Sequence, residues 1–124
     1  MAKRVLIAED EPNIVISLEF LLKKAGYEVA VARDGEEALR LAGELRPDLI
    51  VLDIMLPVVN GFEVCRRIRA DGGLGATRIL MLTARGRALE AERGLAAGAD
   101  AYMTKPFATK ELIRTVKELL EPAR

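Results

Sequence analysis

Leu49-Ile50-Val51-Leu52-Asp53 is the stretch on which the fold turns. Its four aliphatic residues show no polar alternation and are too short a run for a buried helix. That is the pattern of a strand covered on both faces, as in a parallel sheet layered by helices. Asp53 ends the run, and a carboxylate closing a buried strand needs a partner or a cation.

Working outward, the same two periodicities alternate along the chain. Before Leu49, Asp34 with Glu37 resembles a capping box for a helix with Ala38, Leu41, Ala42 and Leu45 inward, ended by Pro47 and Asp48. Tyr27 to Ala32 reads as a strand. From Pro12 to Ala25, Ile14, Val15, Leu18, Leu21 and Leu22 fall at helical spacing, and Gly26 supplies the stop. Val5-Leu6-Ile7-Ala8 is another short apolar run, passing into Glu9-Asp10-Glu11.

After Asp53, Gly61 precedes a helix with Val64, Cys65 and Ile68 toward the core. Asp71 to Gly75 is expected to be a flexible loop. Ile79 to Leu82 is a fourth strand, and Arg87 to Ala97 a helix closed by Gly98. Ala101 to Thr104 is a fifth strand, and Leu112, Ile113, Val116, Leu119 and Leu120 make an amphipathic helix before Pro122. Five strand–helix pairs with short links predict right-handed crossovers. The fold class is α/β, a doubly wound five-stranded parallel sheet in a single domain, residues 1–124.

Composition narrows the chemistry. The chain has 124 residues, 51% hydrophobic and 31% charged, with 19 basic against 19 acidic side chains. It can bury a full core, is not of disordered type, and lacks the basic excess of a nucleic-acid binder. There is no histidine, which excludes Ser-His-Asp and Cys-His nucleophiles and His-ligated metals. Cys65 is the single cysteine, so no intrachain disulfide forms, and it reads as a core residue. No aliphatic run approaches the length that spans a bilayer, and the apolar run near Met1 is too short for a signal peptide. The expectation is a soluble, reduced, cytoplasmic protein without membrane insertion.

In an open α/β sheet, ligands bind beyond the carboxyl ends of the strands, near the topological switch point. The first strand presents Glu9, Asp10 and Glu11 there, the third Asp53, the fourth Thr83, and the fifth Thr104, Lys105 and Pro106. The second offers only Arg33 and Asp34, as suits an outlying strand. Two carboxylates about 4 Å apart repel by roughly 4 kcal/mol at an effective dielectric of 20. A hard divalent cation relieves this, and carboxylates with carbonyl and water ligands suit Mg²⁺. Lys105 can neutralise an arriving anion and Thr83 can donate a hydrogen bond to it. The set reads as an anion site around a nucleophilic carboxylate, with Asp53 attacking phosphorus to form an aspartyl phosphate. Taken singly, each piece is ordinary: the acids as a solvated strand end, Thr83 as a strand residue, Lys105 as a loop charge. Together they are not.

At these residues the chain resembles the receiver domain of response regulators in bacterial two-component signalling, the chemotaxis-regulator-like receivers included. The segments that carry the likeness are Leu6-Ile7-Ala8-Glu9-Asp10-Glu11, Val51-Leu52-Asp53-Ile54-Met55-Leu56-Pro57, Asn60-Gly61, Met81-Leu82-Thr83-Ala84-Arg85 and Gly98-Ala99-Asp100-Ala101-Tyr102-Met103-Thr104-Lys105-Pro106-Phe107. They span essentially the whole chain, in order. The resemblance implies a flavodoxin-like (βα)5 fold with strand order 2-1-3-4-5. It makes Asp53 the phosphoacceptor, Asp10 the direct carboxylate ligand of Mg²⁺, Glu9 its partner through water, and the Met55 backbone carbonyl a further ligand. It makes Thr83 and Lys105 the phosphate-binding pair, Thr83 and Tyr102 the switch, and Lys105-Pro106 a cis peptide. The implied partners are a histidine kinase or histidine phosphotransfer protein, as donor, and an output protein of unknown identity.

Departures from the family pattern carry expectations of their own. Receivers that dimerise through the fourth helix, fifth strand and fifth helix use salt bridges there. Glu111 fits that pattern, but Ala91, Ala101 and Thr115 stand where charges are usual, so a monomer or weak dimer is expected. Ala108 replaces the usual capping serine, which leaves Thr109 to shift the cap or the helix start to fray. Met55 and Arg85 flank the path of a hydrolytic water without being good positioning groups, so autodephosphorylation is expected to be slow. Aspartyl-phosphate phosphatases and phosphotransferases normally carry a second acid two residues past the nucleophile. Here that residue is Met55, which favours a signalling phosphoacceptor over a turnover enzyme. A dead-site binding module would lack part of the Glu9, Asp10, Asp53, Thr83 and Lys105 set. No effector domain follows Arg124, so a stand-alone receiver or one cut from a longer chain is expected.

Overall fold

The computed structural model describes residues 2–84 and 88–121. The chain runs β1 (Arg4–Ala8), α1 (Pro12–Lys24), β2 (Glu28–Ala32), α2 (Gly35–Leu45), β3 (Leu49–Asp53), α3 (Gly61–Ala70), β4 (Arg78–Ala84), α4 (Ala88–Ala96), β5 (Ala101–Lys105) and α5 (Thr109–Leu120). The strands form one parallel sheet in the order β2-β1-β3-β4-β5. The strand order and fold class are those expected.

Alternation of side chains along the strands divides the core in two. Leu6, Ala8, Ile50, Leu52, Ile79 and Met81 face α2, α3 and α4, meeting Ala38, Ala42, Val64, Cys65 and Ile68. Val5, Ile7, Leu49, Val51, Leu80 and Leu82 face α1 and α5, meeting Leu18, Leu22, Leu112 and Val116. Every residue of β3 is buried, which is why its sequence is uninterrupted aliphatic up to Asp53. Each such side chain contributes about 1.5–3 kcal/mol on burial.

Some local expectations hold and others are corrected. The α2 helix ends at Leu45 with Arg46 as a left-handed cap at φ 47°, directly before Pro47 as expected. Asp34 caps Glu37 N–H at 2.8 Å as expected, while Glu37 reaches back to the N–H of Arg33 at 2.9 Å. The Asp71–Gly75 stretch is not a free loop. Gly72–Leu74 forms a 3-10 turn, Asp71 accepts from Gly73 N–H at 2.9 Å, and Leu74 is buried. Ala108 keeps the cap position of α5 with no side-chain bond, and Thr109 begins the helix instead of capping it. The expected helix start at Arg87, the stop at Pro122, and Arg85 all lie outside the described residues. Among the described residues, no helix is long and apolar enough to cross a membrane.

Candidate functional site

The chain leaves β1 toward β2 on one side and returns to β3 on the other, so the switch point lies between β1 and β3. Glu9 and Asp10 follow β1 directly and Asp53 closes β3. Glu9 is fully buried, Asp53 nearly so, and Asp10 is exposed. One carboxylate oxygen from each lies within 4.8 Å of the others. At such separations each pair of charges repels by about 3–4 kcal/mol at an effective dielectric of 20.

Lys105 offsets part of this. At the end of β5 its ammonium lies 2.8 Å from Glu9 Oε1 and 3.4 Å from Asp53 Oδ1, and the Lys105-Pro106 peptide is cis. Backbone amides take up more of the charge: Asp10 and Glu11 N–H both donate to Glu9 Oε2 at 3.1 Å, and Met55 N–H donates to Asp53 Oδ1 at 3.1 Å. Burial pushes the Glu9 carboxyl above the usual range, with the charge of Asp53 adding to it and Lys105 opposing. Burial also pulls the Lys105 ammonium down, but its bond to Glu9 and the charges of Asp53 and Glu9 outweigh that and hold it above its ordinary value.

Among the described residues, three acids gather around one lysine, which leaves that cluster short of positive charge. Oxygen donors at this spacing fit a hard divalent cation such as Mg²⁺. Glu9, Asp10 and Asp53 could supply carboxylates to it, and the Met55 main chain stands beside Asp53 through its amide.

The other expected residues are placed less centrally. Thr83 is buried near the end of β4, and Leu82 is the register partner of Asp53. Its hydroxyl donates to the Ala84 carbonyl at 3.1 Å. Tyr102, on β5, pairs in register with Met81 and is 49% exposed. The structure thus brings Glu9, Asp10, Asp53 and Lys105 together, sets Thr83 on the neighbouring strand, and leaves Tyr102 at the surface.

Two features escape a reading of the sequence by periodicity. Gly61 looks like a plain turn residue, yet a Cβ there would lie 2.5 Å from the Asp53 carbonyl oxygen and 2.7 Å from Ile54 Cα. The start of α3 therefore packs directly on the backbone of the acceptor strand. Ile16 and Phe20 lie off the inward face of α1 and are about two-thirds exposed. Their signal was two large apolar residues, four apart, on the side of the helix where polar residues belong.

Residues 5–117 match the response regulator receiver domain family. The chain is 47% identical over 120 residues to the alkaline phosphatase synthesis transcriptional regulatory protein PhoP of Bacillus subtilis (strain 168), covering 97% of this chain and 49% of that protein. It thus spans about half the length of the curated relatives it matches. Among solved structures, it resembles the chemotaxis response regulator CheY4 of Vibrio cholerae with TM-score 0.91 and 36% identity, over 97% of this chain and 100% of that one. It also resembles the receiver domain of a sensor histidine kinase from Pseudomonas aeruginosa PAO1, with TM-score 0.89 and 34% identity over 97% and 98% of the two chains. That structure has a magnesium ion coordinated in its active site cleft. Sequence, sheet order and acidic cluster agree: this chain belongs to the response regulator receiver domains of bacterial two-component systems, which are signalling proteins and not classical enzymes.

Proposed function

We propose that Asp53 accepts a phosphoryl group from the phosphohistidine of a histidine kinase or phosphotransfer protein. In this reading Asp10, Asp53 and the Met55 backbone carbonyl would hold Mg²⁺, with Glu9 their partner through water. When bound, Mg²⁺ neutralises charge on the equatorial phosphoryl oxygens. The Met55 amide and Lys105 both engage Asp53 Oδ1, which orients the carboxylate, and we assign Oδ2 to the attack. The new Oδ2–P bond forms as the N–P bond of the donor breaks, and the electron pair returns to the imidazole nitrogen. Lys105 then pairs with the phosphoryl oxygens. Thr83 gives up the Ala84 carbonyl to donate to the same group, and Tyr102, half exposed, reports the change at a protein-binding surface.

The single observation that supports this best is the convergence of three carboxylates and one ammonium at the switch point, with Asp53 at the end of a wholly buried strand. A groove of about 570 Å³ beside Lys105, lined by Ile14, Phe20, Leu21 and Phe107, gives a donor protein an apolar place to rest within reach of the site. Met55 is 62% exposed and cannot hold a water strongly, which supports slow loss of the phosphoryl group. Ala91 is buried and neither Ala101 nor Thr115 carries a charge, which supports a monomer or weak dimer.

The test is intact-mass spectrometry after incubation with acetyl phosphate, with and without Mg²⁺, on the parent and on Asp53→Ala. The expected result is a Mg²⁺-dependent gain of one phosphoryl that decays slowly and is absent in the variant; in sedimentation, the phosphorylated protein is expected to run as a monomer or weak dimer. A folded parent that gains nothing would replace this reading with that of a constitutive binding module.

A further inference from the structure

The connection from β3 to α3 carries Met55, and it is backed by a helix that contributes no side chain to the site. Gly35, the first residue of α2, donates its N–H to the Pro57 carbonyl at 3.0 Å. A Cβ at Gly35 would lie 1.9 Å from the Val59 carbonyl oxygen, 2.6 Å from Val59 Cβ and 2.7 Å from the Val59 carbonyl carbon. The nearest of these atoms is backbone, so it cannot rotate aside as a long side chain would. The other end of the connection meets Gly61, whose N–H donates to the Ile54 carbonyl at 2.9 Å.

Between these two helix starts the loop is bent tightly. Val58 lies at φ 72°, and Val59 N–H donates to the Pro57 carbonyl at 2.9 Å. Val58 is 72% exposed, so burial of its side chain does not favour the left-handed conformation. A β-branched residue holds that conformation only where the surroundings impose it. Gly35, with its N–H on the Pro57 carbonyl and no Cβ to clash with Val59, is the point at which α2 meets this turn. Its own position is fixed by Asp34, which caps α2 through Glu37 N–H.

We propose that Gly35 is a positioning residue for the acceptor site. The first turn of α2 holds the β3–α3 connection in place, and so sets where the Met55 main chain stands against Asp53. This rests on Asp53 being the Mg²⁺-assisted phosphoryl acceptor. It adds a residue that touches neither the metal nor the phosphoryl group.

The experiment compares Gly35→Ala and the milder Asp34→Ala with a control, Gly98→Ala. Gly98 has φ 115°, and a Cβ there would meet Arg69 Cγ at 2.5 Å, away from the β3–α3 connection. The control therefore disturbs a glycine without touching the loop. Three quantities are read: the Mg²⁺ dissociation constant, the Met55 amide resonance in the metal-free protein, and the rate of phosphoryl uptake from acetyl phosphate. Gly35→Ala is expected to shift the Met55 amide and weaken Mg²⁺ binding about tenfold, with slower uptake. Asp34→Ala should do the same to a smaller degree, while Gly98→Ala loses stability but keeps all three. The proposal is overturned if Gly35→Ala keeps both the Met55 amide and the Mg²⁺ affinity, or if Gly98→Ala changes them as much. Should Gly35→Ala not fold, Asp34→Ala decides on the same two readouts. A parent that takes up neither Mg²⁺ nor phosphoryl would contradict the functional reading instead, and the metal-free Met55 amide would still test the positioning.

Discussion

The two ends of the same sheet treat charge in opposite ways. At the amino end, Arg69 donates to the Gly98 and Thr77 carbonyls and to Asp100 Oδ2, at 2.8, 2.6 and 2.7 Å. Asp100 Oδ2 also accepts from Ile79 N–H at 2.8 Å, and Arg78 lies 3.5 Å from Asp100 Oδ1. Asp48 accepts from Arg4 N–H at 2.8 Å, and the Thr77 hydroxyl donates to the Pro47 carbonyl at 2.9 Å. Donors there are matched to acceptors. At the carboxyl end, among the described residues, Lys105 pairs with two of three clustered carboxylates, Glu9 and Asp53, and a left-handed valine sits in the loop beside them. Stability accounts for the first arrangement. The second works against stability, and the proposed binding of a divalent cation and a phosphoryl group there would account for it.

Breaking the amino end should have the largest effect. Asp100→Ala removes the partner of Arg69 and Arg78 and leaves Ile79 N–H without its acceptor. The expected loss is about 2 kcal/mol in urea unfolding, with phosphoryl uptake by the folded protein unchanged. A loss of uptake in the folded variant would mean that the two ends are coupled.

Relaxing the carboxyl end should act in the other direction. Val58→Gly removes the left-handed penalty at an exposed position and is expected to stabilise by about 0.5–1 kcal/mol, measured the same way. A destabilised Val58→Gly would show that the turn is not strained.

The smallest effect sharpens the picture of the amino end and appears only in alkali. Tyr27 donates to Glu121 Oε2 at 2.9 Å, and burial, with that bond and the Glu121 charge, pushes its phenol up to about 12. A phenol whose pKa is raised on folding lends stability that is complete below pH about 10, its unfolded value, and fades as the pH rises toward the folded value. Thermal melts of the parent should therefore lose stability across that interval more steeply than those of Tyr27→Phe. Parallel curves would remove the bond from the account.

Most of the fold is legible in the sequence because burial writes it there. The aliphatic run at Leu49–Leu52 and the spacing of Leu18, Leu22, Leu112 and Val116 are direct consequences of which faces are covered. Of the candidate site, the clustering of Glu9, Asp10, Asp53 and Lys105 was legible as a set of strand-end residues, since the topology brings those ends together. What could not be read is backbone conformation fixed by distant contacts. The contact of Gly35 with Pro57 and Val59, beside the left-handed Val58, and the burial of Leu74 in the core depend on partners far along the chain. Nor does sequence show that Lys105 sits closer to Glu9 than to Asp53, which needs the geometry of three strands at once.

The central claim is that the carboxyl end carries uncompensated negative charge that a divalent cation relieves. Thermal unfolding of the parent and of Asp53→Asn, each with and without Mg²⁺, tests it directly. The account predicts that Mg²⁺ raises the melting temperature of the parent. Asp53→Asn should melt about 3 °C above the metal-free parent and respond little to Mg²⁺. A parent indifferent to Mg²⁺, together with an Asp53→Asn variant that melts lower, would contradict it.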